Sequence, residues 1–277
     1  MAWFLSLKNK RTGEDLYPTL RKNIEKPEYY ANEKVRCEVM RHFGYFMTES
    51  TGHLSDYVPW FRSSREALEL YCDEPGFGGE SGTAFKYNSK VAEKYKNVDY
   101  LESESRTLGE RSVEYCSHIL EAVETDGIFR LNGNVRNDGY ITNLPLGCCV
   151  EVPVFVDRHG LNPVKVGALP PQLAALSQSN ITVQMLVVEA ALTGDPEHVM
   201  QAVAMDPLTG ACCTLSEIRE MTREMLEEER KWLPQFEGKE LRSTPRINIP
   251  PDVKRVDVPM DPALAIAKRF VDLAKSN

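Results

Sequence analysis

Apolar residues recur at helical spacing near the start of the chain. From Val35 to Phe46 they return every three or four positions, which predicts a helix over residues 32–46. Asn32 stands at the beginning of this range and is the expected N-cap. Gly44 would lie inside the helix, where a glycine usually carries a cost or allows close packing.

Less regular stretches surround this helix. Residues 2–8 form a short apolar run and predict a strand. Residues 48–59 mix polar and apolar types without a period, which predicts a loop. Residues 73–86 are rich in glycine and predict a mobile surface loop or a lid. Their pattern does not predict a nucleotide site, because no strand precedes it and the flanking acids would repel a pyrophosphate.

Alternating polar and apolar residues in the middle of the chain predict a small sheet. Residues 129–135 and 140–144 flank an Asn-Asp-Gly turn, which predicts a β-hairpin. Residues 147–156 predict a further strand, with residues 162–166 as its partner. Pro153 has no N–H to donate to a ladder, so this strand is expected at an edge or at a bulge.

The second half of the chain is mostly helical. Residues 172–192 are apolar on nearly every side, which predicts a long helix that runs through the core or through an interface. Asp195 and Pro196 predict the start of the next helix. Thr214 and Glu217 match a capping box and predict the start of another.

The order of these elements predicts an α+β fold, since helices, a small sheet and further helices follow one another without regular βαβ alternation. Residues 1–236 form the expected main domain. Residues 237–277 are rich in proline and predict an extended tail that ends in a short helix over residues 261–275.

Charge and composition narrow the possible partners. The net charge is −8 over 277 residues, which argues against nucleic acid or an anionic membrane as the main partner, because both bind basic surfaces. No apolar run approaches the ~20 residues that cross a bilayer. The start of the chain also lacks the pattern of a signal peptide, so a cytoplasmic protein with no membrane partner is expected.

Cysteine usage supports the same compartment. The chain has seven cysteines, an odd number, with vicinal pairs at residues 148–149 and 212–213. Secreted scaffolds use an even set spread over loops, so reduced and mostly buried thiols are expected here. Neither vicinal pair has the C-x-x-C spacing that lets two sulfurs bind one zinc ion.

The densest candidate chemistry lies in residues 42–62. Glu49, His53, Asp56 and Arg62 stand there among aromatic residues. Such a set suits a sugar or another polyol, because rings stack on C–H faces while the polar groups bind hydroxyls. The structural alternative is the edge of a core followed by a solvated loop.

Three long stretches carry a family resemblance. Residues 42–62 contain His-Phe-Gly-Tyr-Phe-Met-Thr-Glu-Ser-Thr-Gly-His and end in Tyr-Val-Pro-Trp-Phe-Arg. Residues 134–153 run from Asn-Val-Arg-Asn-Asp-Gly-Tyr-Ile-Thr-Asn-Leu-Pro to Val-Glu-Val-Pro, and residues 166–194 begin Val-Gly-Ala-Leu-Pro-Pro-Gln-Leu. In this order they resemble glycoside hydrolase family 4, most closely its α-galactosidase and α-galacturonidase type. The resemblance extends to about Phe236.

The resemblance implies an enzyme that depends on NAD and on a divalent metal such as Mn²⁺. The usual glycosidase mechanism, in which two carboxylates act on the glycosidic bond, does not apply to this family. Its members oxidise the sugar at C3, which acidifies the proton on C2, and a base then removes that proton. The glycosidic bond breaks by elimination, water adds, and the hydride returns. A small α-galactoside or related saccharide is therefore the expected substrate, and a carbohydrate-metabolising hydrolase is the expected enzyme.

Family members also begin with a dinucleotide-binding Rossmann domain, which this chain lacks. Their metal-binding Cys and His lie just upstream of the motif that corresponds to residues 1–4 here. The chain is accordingly interpreted as the C-terminal part of such an enzyme, which explains an apolar start. No residue is assigned to NAD or to the metal. The expected partner is an N-terminal half supplied in trans or a second copy in a homo-oligomer.

The resemblance places the proton-abstracting base at Asp56, with the neighbouring Tyr57 as its rival. A carboxylate acts as it stands, whereas a phenol with a pKa near 10 needs a nearby cation or metal. The structural alternative for Asp56 is an N-cap for the segment that follows it.

Four further residues are candidates for substrate binding. His53 and Glu49 would bind hydroxyl groups, with a hydrogen-bonded loop as the alternative for His53. Arg111 resembles a family arginine that reaches the substrate, and its alternative is a salt bridge on a helix surface. Asn143 would help to shape the site, although a role in a turn also suffices for it.

Two functions from different classes follow from these observations. In the first, the chain is the substrate-side and oligomerisation domain of a family 4 glycosidase and is active only with an N-terminal half. In the second, it is a non-catalytic binding or assembly module or a truncated gene product. The apolar helix at residues 172–192 and the strand predicted at the start of the chain would then be partner surfaces.

Overall fold

The computed structural model describes residues 1–96 and 110–254, together with residues 270, 271 and 275. The described residues combine helices with one antiparallel sheet, so the predicted α+β class is confirmed. By internal contacts the chain divides into a unit of residues 1–242 and a second unit of residues 243–277.

Helices make up the first part of the larger unit. Within the described residues they are α1 (Tyr17–Asn23), α2 (Pro27–Tyr30), α3 (Lys34–Phe43), α4 (Thr51–Tyr57), α5 (Arg65–Tyr71) and α6 (Thr83–Tyr95).

Helix α3 is shorter than the predicted helix of residues 32–46, because Gly44 ends it. Gly44 has a φ of 85°, a left-handed conformation that glycine adopts without steric cost, and its N–H donates to the Met40 carbonyl. Asn32 is not the N-cap, as Glu33 occupies that position. The amide of Asn32 donates instead to the Glu28 carbonyl.

Helix α4 lies where a loop was predicted over residues 48–59, so that prediction was wrong. Ser50 caps the helix by accepting a hydrogen bond from the His53 N–H at 3.3 Å. Leu54 and Val58 are four residues apart and both are buried, which fixes the helix against the core. These two local signals are short and were hidden by the polar residues between them.

The opening residues do not form the predicted strand over residues 2–8. They make only isolated bridges, from Trp3 to Met47 and from Lys8 to Asp15. The segment lies along the turn after α3, where the Phe4 N–H donates to the Phe46 carbonyl at 3.0 Å. A regular strand requires a continuous partner, and the turn is too short to supply one.

The sheet has three strands, β1 (Phe129–Arg136), β2 (Cys149–Asp157) and β3 (Gly160–Pro163), in the order β1-β2-β3. Strand β1 pairs antiparallel with β2, with Arg136 opposite Cys149. The predicted hairpin between residues 129–135 and 140–144 is therefore wrong. Residues 137–148 form the connection between the two strands rather than a tight turn.

Strand β2 is central in the sheet, which corrects the expectation that Pro153 would mark an edge strand. The Pro153 carbonyl accepts a hydrogen bond from the Val164 N–H at 2.8 Å, on the side of β3. Its missing N–H points to the same side, and the ladder of β3 ends at Pro163. A proline is tolerated there because no ladder hydrogen bond is lost.

The two faces of the sheet differ in their burial. Alternate residues of β2, including Val152, Val154 and Val156, are buried in the main core, while Glu151 and Phe155 between them are exposed. The expectation that the thiols are mostly buried was wrong. Cys37, Cys72 and Cys148 are buried, whereas Cys149, the next residue along the chain from Cys148, points to the opposite face and is exposed, as are Cys116 and Cys212.

Helix α7 (Cys116–Thr125) precedes the sheet and packs on its buried face. The helices after the sheet are α8 (Pro171–Thr193), α9 (Pro196–Met205), α10 (Pro207–Cys212) and α11 (Leu215–Glu228).

The long helix α8 is confirmed and ends at Gly194, as the sequence predicts. Its first half packs into the core through Leu173 and Ile181. Its second half leaves Val188 and Leu192 57% and 80% exposed. The predicted capping box at the start of α11 is also present, with both of its reciprocal hydrogen bonds.

The chain beyond the predicted boundary at residue 236 remains attached to the larger unit as far as Arg242. The Arg242 N–H donates to Glu197 at 2.7 Å, and Glu197 also pairs with Arg219 at 2.9 Å. Residues 240–249 form neither helix nor strand. The predicted helix of residues 261–275 lies almost entirely outside the described residues. Among the described residues, no helix has the length and hydropathy to cross a membrane.

Asn137 holds the long connection between β1 and β2. It is fully buried, and its amide nitrogen donates to the carbonyls of Ile141, Leu144 and Pro145 at 3.0–3.2 Å. Its amide oxygen accepts the Ile141 N–H at 3.1 Å. One side chain thus satisfies backbone groups that would otherwise be buried without partners.

We predict that Asn137→Ala lowers the free energy of unfolding by about 3 kcal/mol, because it leaves several buried backbone groups unpaired. Urea unfolding followed by circular dichroism measures the change. The control is Asn134→Ala, at an exposed position of β1, with an expected change below about 0.5 kcal/mol. Equal stability of the two variants would contradict this role of Asn137.

Candidate functional site

The turn that leads into α4 is held by Arg36. Its guanidinium donates two hydrogen bonds to the Met47 carbonyl, at 2.8 and 3.1 Å, and lies 4.2 Å from the centre of the Phe46 ring. The Thr51 hydroxyl donates to Glu33 at 3.0 Å. These contacts fix the start of α4 relative to α3 and so position the polar residues that follow.

Helix α4 and the turn before it bring together four of the predicted site residues: Glu49, His53, Asp56 and Tyr57. Glu49 and His53 lie four residues apart, and their side chains meet at 3.1 Å. Asp56 is three residues further on, so it lies on the same side of the helix as His53. Tyr57 follows directly and is half-buried.

Arg62 contacts this group most extensively, although its place in the sequence indicated no separate role. Its Nε lies 2.7 Å from Asp56 Oδ1 and 2.8 Å from the Ser55 hydroxyl. The other end of the guanidinium donates to the Gly79 carbonyl at 2.7 Å and to the Ser81 hydroxyl at 3.4 Å. The side chain is only 13% exposed. The sequence did not indicate this role, because it depends on tertiary contacts with Gly79 and Ser81, which lie far along the chain.

The Asp56 carboxyl group has a raised pKa. Partial burial is the main cause, since it disfavours the charged form, and the negative charge of Asp206 adds to it. Arg62 and, to a smaller extent, His53 act in the opposite direction. The carboxylate is therefore a stronger base than a solvated aspartate, and the nearby Arg62 still favours its ionised form.

The Tyr57 hydroxyl group also has a raised pKa. Burial is the main cause, and the negative charges of Glu49 and Asp56 add to it. The Tyr57 backbone carbonyl accepts a hydrogen bond from the Asn180 amide at 3.0 Å, which ties α4 to α8. With these neighbours the phenol stays protonated at neutral pH.

The glycine-rich segment packs directly against α4. A Cβ atom on Gly52 would lie 3.0 Å from the Phe77 carbonyl and 3.2 Å from Gly79, so a side chain there would require the neighbouring backbone to shift. The Phe77 ring meets the His53 ring edge to face at 5.6 Å, and its side chain is 72% exposed. The predicted surface loop is therefore seated on the site, while its predicted mobility stays a prediction.

A cavity of about 650 Å³ reaches this group of residues at Glu49, whereas His53, Asp56 and Tyr57 are not among the residues that line it. Glu49 lies on its wall, and so does Asn180, which holds the Tyr57 carbonyl. The wall also includes residues 1–6 and polar side chains from the exposed face of the sheet. The lining combines apolar surface with Arg130, Asn132, Asn134, Glu151 and Gln184, a mixture suited to a polyhydroxylated ligand.

Asn143 supports the wall of this cavity. Its amide donates to the Leu169 carbonyl at 2.8 Å and accepts the Leu169 N–H at 2.9 Å. Leu169, Leu144 and Ile141 line the cavity, so Asn143 and Asn137 together hold its apolar side. Direct binding of substrate by Asn143 stays a prediction.

Arg111 makes its contacts at helix α7. It pairs with Glu121 at 2.6 Å and donates to the Ser117 carbonyl at 3.3 Å. His118 lies 3.1 Å from the same guanidinium. These are the contacts of a helix-surface ion pair, the structural alternative for this residue, and a role in substrate binding stays a prediction.

The described residues do not provide a metal or dinucleotide site. Within residues 1–96 and 110–254, no three His, Cys, Asp or Glu side chains lie close enough together to hold a metal ion. The glycine-rich segment follows helix α5, whereas a dinucleotide-binding turn follows a strand and opens a helix. Neither NAD nor Mn²⁺ therefore fits the described residues of this chain alone.

Comparisons with known proteins all point to one family. Residues 1–209 match the family 4 glycosyl hydrolase C-terminal domain. An α-galactosidase of Rhizobium meliloti is 38% identical over 243 residues, which cover 85% of this chain and 49% of the relative. An α-galactosidase of Bacillus subtilis is 36% identical over 246 residues, covering 85% of this chain and 54% of the relative. The chain thus spans about half the length of these relatives.

Solved structures share the fold. A putative glucosidase of Bacillus subtilis superimposes with a TM-score of 0.63 at 22% identity, over 79% of this chain and 51% of that protein. A 6-phospho-α-glucosidase from gut microorganisms, solved in complex with NAD and Mn²⁺, gives a TM-score of 0.59 at 18% identity, over 87% of this chain and 54% of that protein.

We predict that Gly52→Val displaces the glycine-rich segment, because the new side chain would overlap the backbone at Phe77 and Gly79. Cleavage by chymotrypsin after the exposed Phe77 should accelerate about fivefold, as expected when ~1 kcal/mol of loop stability is lost. The control is Gly210→Val in α10, where a Cβ would make only ordinary contact, 3.4 Å from the Ala204 carbonyl. Unchanged cleavage of the Gly52 variant would contradict the seating of the loop on α4.

Proposed function

Because this chain belongs to family 4 of the glycosyl hydrolases, we propose that it forms the substrate-side half of an enzyme that cleaves α-galactosides. The names of the two α-galactosidase relatives support the choice of sugar. The cavity beside α4, which combines apolar walls with amide and charged groups, supports a saccharide as the ligand.

We further propose that NAD and Mn²⁺ belong to the working enzyme but are held by another part of it. A solved relative contains both groups, whereas the described residues of this chain do not supply their ligands. Together the two groups would supply reversible oxidation of the sugar and stabilisation of negative charge next to the oxidised carbon. This chain would contribute substrate binding and proton removal.

Asp56 is the proposed base that removes the proton from C2 of the sugar. The observation that carries this assignment is the carboxylate itself, held at 2.7 Å by Arg62 on the face of α4 that also bears His53. Its raised pKa strengthens it as a base, and Arg62 favours the ionised form that a base requires. Tyr57 is less suitable, because Glu49 and Asp56 both oppose ionisation of its hydroxyl group.

Glu49 and His53 are the proposed ligands for sugar hydroxyl groups. Glu49 lies on the cavity wall and contacts His53, so the pair presents an acceptor and a ring nitrogen side by side. The exposed Phe77 ring beside His53 offers an apolar surface for a C–H face of the sugar.

A role in assembly is also favoured by one observation. The second half of α8 exposes Met185, Val188 and Leu192 at intervals of three and four residues, which forms an apolar stripe on one side of the helix. The stripe suits a protein contact, either with a second copy or with the other half of the enzyme.

The test combines this chain with the N-terminal half of the Bacillus subtilis α-galactosidase, NAD and Mn²⁺, and measures hydrolysis of an aryl α-galactoside. Light scattering first establishes that a complex forms. We expect Asp56→Asn to lower kcat by roughly 10²–10⁴-fold, the usual contribution of a general base, and Tyr57→Phe to lower it less than about tenfold.

The matched control is Asp73→Asn, which removes an aspartate that pairs with Lys34 at 2.5 Å and lies outside the cluster on α4. Its kcat should stay within about twofold of the unmodified chain. A complex that forms but has no activity would refute the proposed function. An active complex in which Tyr57→Phe is the damaging change would move the base from Asp56 to Tyr57.

A further inference from the structure

We propose that Arg62 is a positioning residue that couples the orientation of the Asp56 carboxylate to the seating of the glycine-rich segment. The catalytic consequence rests on the proposed function, in which Asp56 is the base. The coupling itself rests only on contacts within this chain.

The contacts of Arg62 divide between two structural elements. One edge of the guanidinium faces α4, where its Nε is shared by Asp56 and by the buried hydroxyl of Ser55. The opposite edge faces the glycine-rich segment, where it binds the Gly79 carbonyl and the Ser81 hydroxyl. A single rigid, planar group therefore spans both elements.

Burial makes these contacts mutually dependent. Arg62 is 13% exposed, so water does not readily replace a lost partner. Ser55 is fully buried, and its hydroxyl donates to the Gly52 carbonyl at 2.5 Å while it accepts from Arg62. If the Gly79 carbonyl moves away, the guanidinium loses an acceptor and can no longer stay in the same place without an unpaired N–H.

Arginine is required for this arrangement because of its shape. Its fork of N–H donors serves acceptors on two sides at once, whereas the lysine ammonium is a compact charge on a flexible stem. A lysine at position 62 would keep the positive charge near Asp56 but would not bridge to Gly79. The two consequences of Arg62, charge and bridging, can therefore be separated experimentally.

The charged neighbours of Asp56 determine how the loss of Arg62 changes the pKa of its carboxyl group. His53 lies on the same helix, and Asp206 approaches from the start of α10. The Cys212 thiol of α10 lies 3.9 Å from the Arg62 backbone carbonyl. Without Arg62, the main opposing charge is gone and Asp206 repels the ionised carboxylate.

One backbone hydrogen bond within the glycine-rich segment can be used to measure whether the segment is in place. The Glu80 N–H donates to the Glu74 carbonyl at 2.9 Å and closes the loop that Arg62 binds at Gly79. Protection of the Glu80 amide from hydrogen exchange therefore measures whether the loop is closed.

The experiment compares Arg62→Gln and Arg62→Lys with the unmodified chain by two NMR measurements: carboxyl titration of Asp56 and hydrogen exchange of the Glu80 amide. For Arg62→Gln we expect the pKa of Asp56 to rise and Glu80 to exchange about tenfold faster, as when a hydrogen bond to a charged group is lost. For Arg62→Lys we expect the faster exchange while Asp56 titrates near its original pKa.

The control variant is Arg65→Gln, which removes a neighbouring arginine that is 87% exposed and pairs with Glu69 at 2.8 Å on α5. It should change neither measurement. Unchanged Glu80 exchange in both Arg62 variants would overturn the proposal, as would an Asp56 pKa that stays constant in Arg62→Gln. If Arg62→Gln does not fold, the exchange rate in Arg62→Lys decides alone.

These readouts are independent of catalysis. In the complex with the N-terminal half, Arg62→Lys should lower kcat about tenfold with little change in KM, because substrate contacts remain while the base is misplaced. If Asp56→Asn leaves activity intact, the proposed function fails while the NMR result still stands. If the NMR measurements show no coupling while Asp56→Asn is inactive, this inference fails and the proposed function stands.

Discussion

The bridge between Arg62, Asp56 and Gly79 is the interaction on which the candidate site depends. It joins a short helix to a glycine-rich segment at distances of 2.7 Å on both sides. The bridge matters most for the segment, which has little regular structure of its own, whereas α4 is also held by its Ser50 cap and by the buried Leu54 and Val58. The site also depends on Gly52, because the absence of a side chain there lets the backbone of α4 approach the backbone of the glycine-rich segment.

The cavity lined by Glu49 depends on a different kind of support. Asn137 and Asn143 satisfy backbone groups in the loops that carry its apolar wall, so the wall is shaped by hydrogen bonds rather than by regular strands. Charged and amide groups from the exposed face of the sheet complete the lining. The result is a concavity of mixed polar and apolar lining that includes Glu49, whose carboxylate contacts His53 of α4.

Local signals account for what could be predicted from the sequence. The α+β class, the long helix α8 and the capping box at Thr214 depend on periodicity and on short motifs, and all three are confirmed. Asp56 and His53 could be grouped because they are three residues apart. The pairing of β1 with β2 could not be predicted, because it depends on a long connection that the Asn137 side chain holds. The partners of Arg62 could not be predicted either, because the Gly79 carbonyl lies far along the chain. The end of α3 at Gly44 was missed because a left-handed glycine and a helical one look alike in sequence.

The central claim is that this chain supplies the base that removes the C2 proton of the sugar. The most direct measurement is hydrolysis of an α-galactoside in D₂O by the complex of this chain with an N-terminal half, followed by NMR of the released sugar. Proton removal by Asp56 and return of a proton from solvent predict deuterium at C2 of the product. A product that is formed without deuterium at C2 would contradict the account.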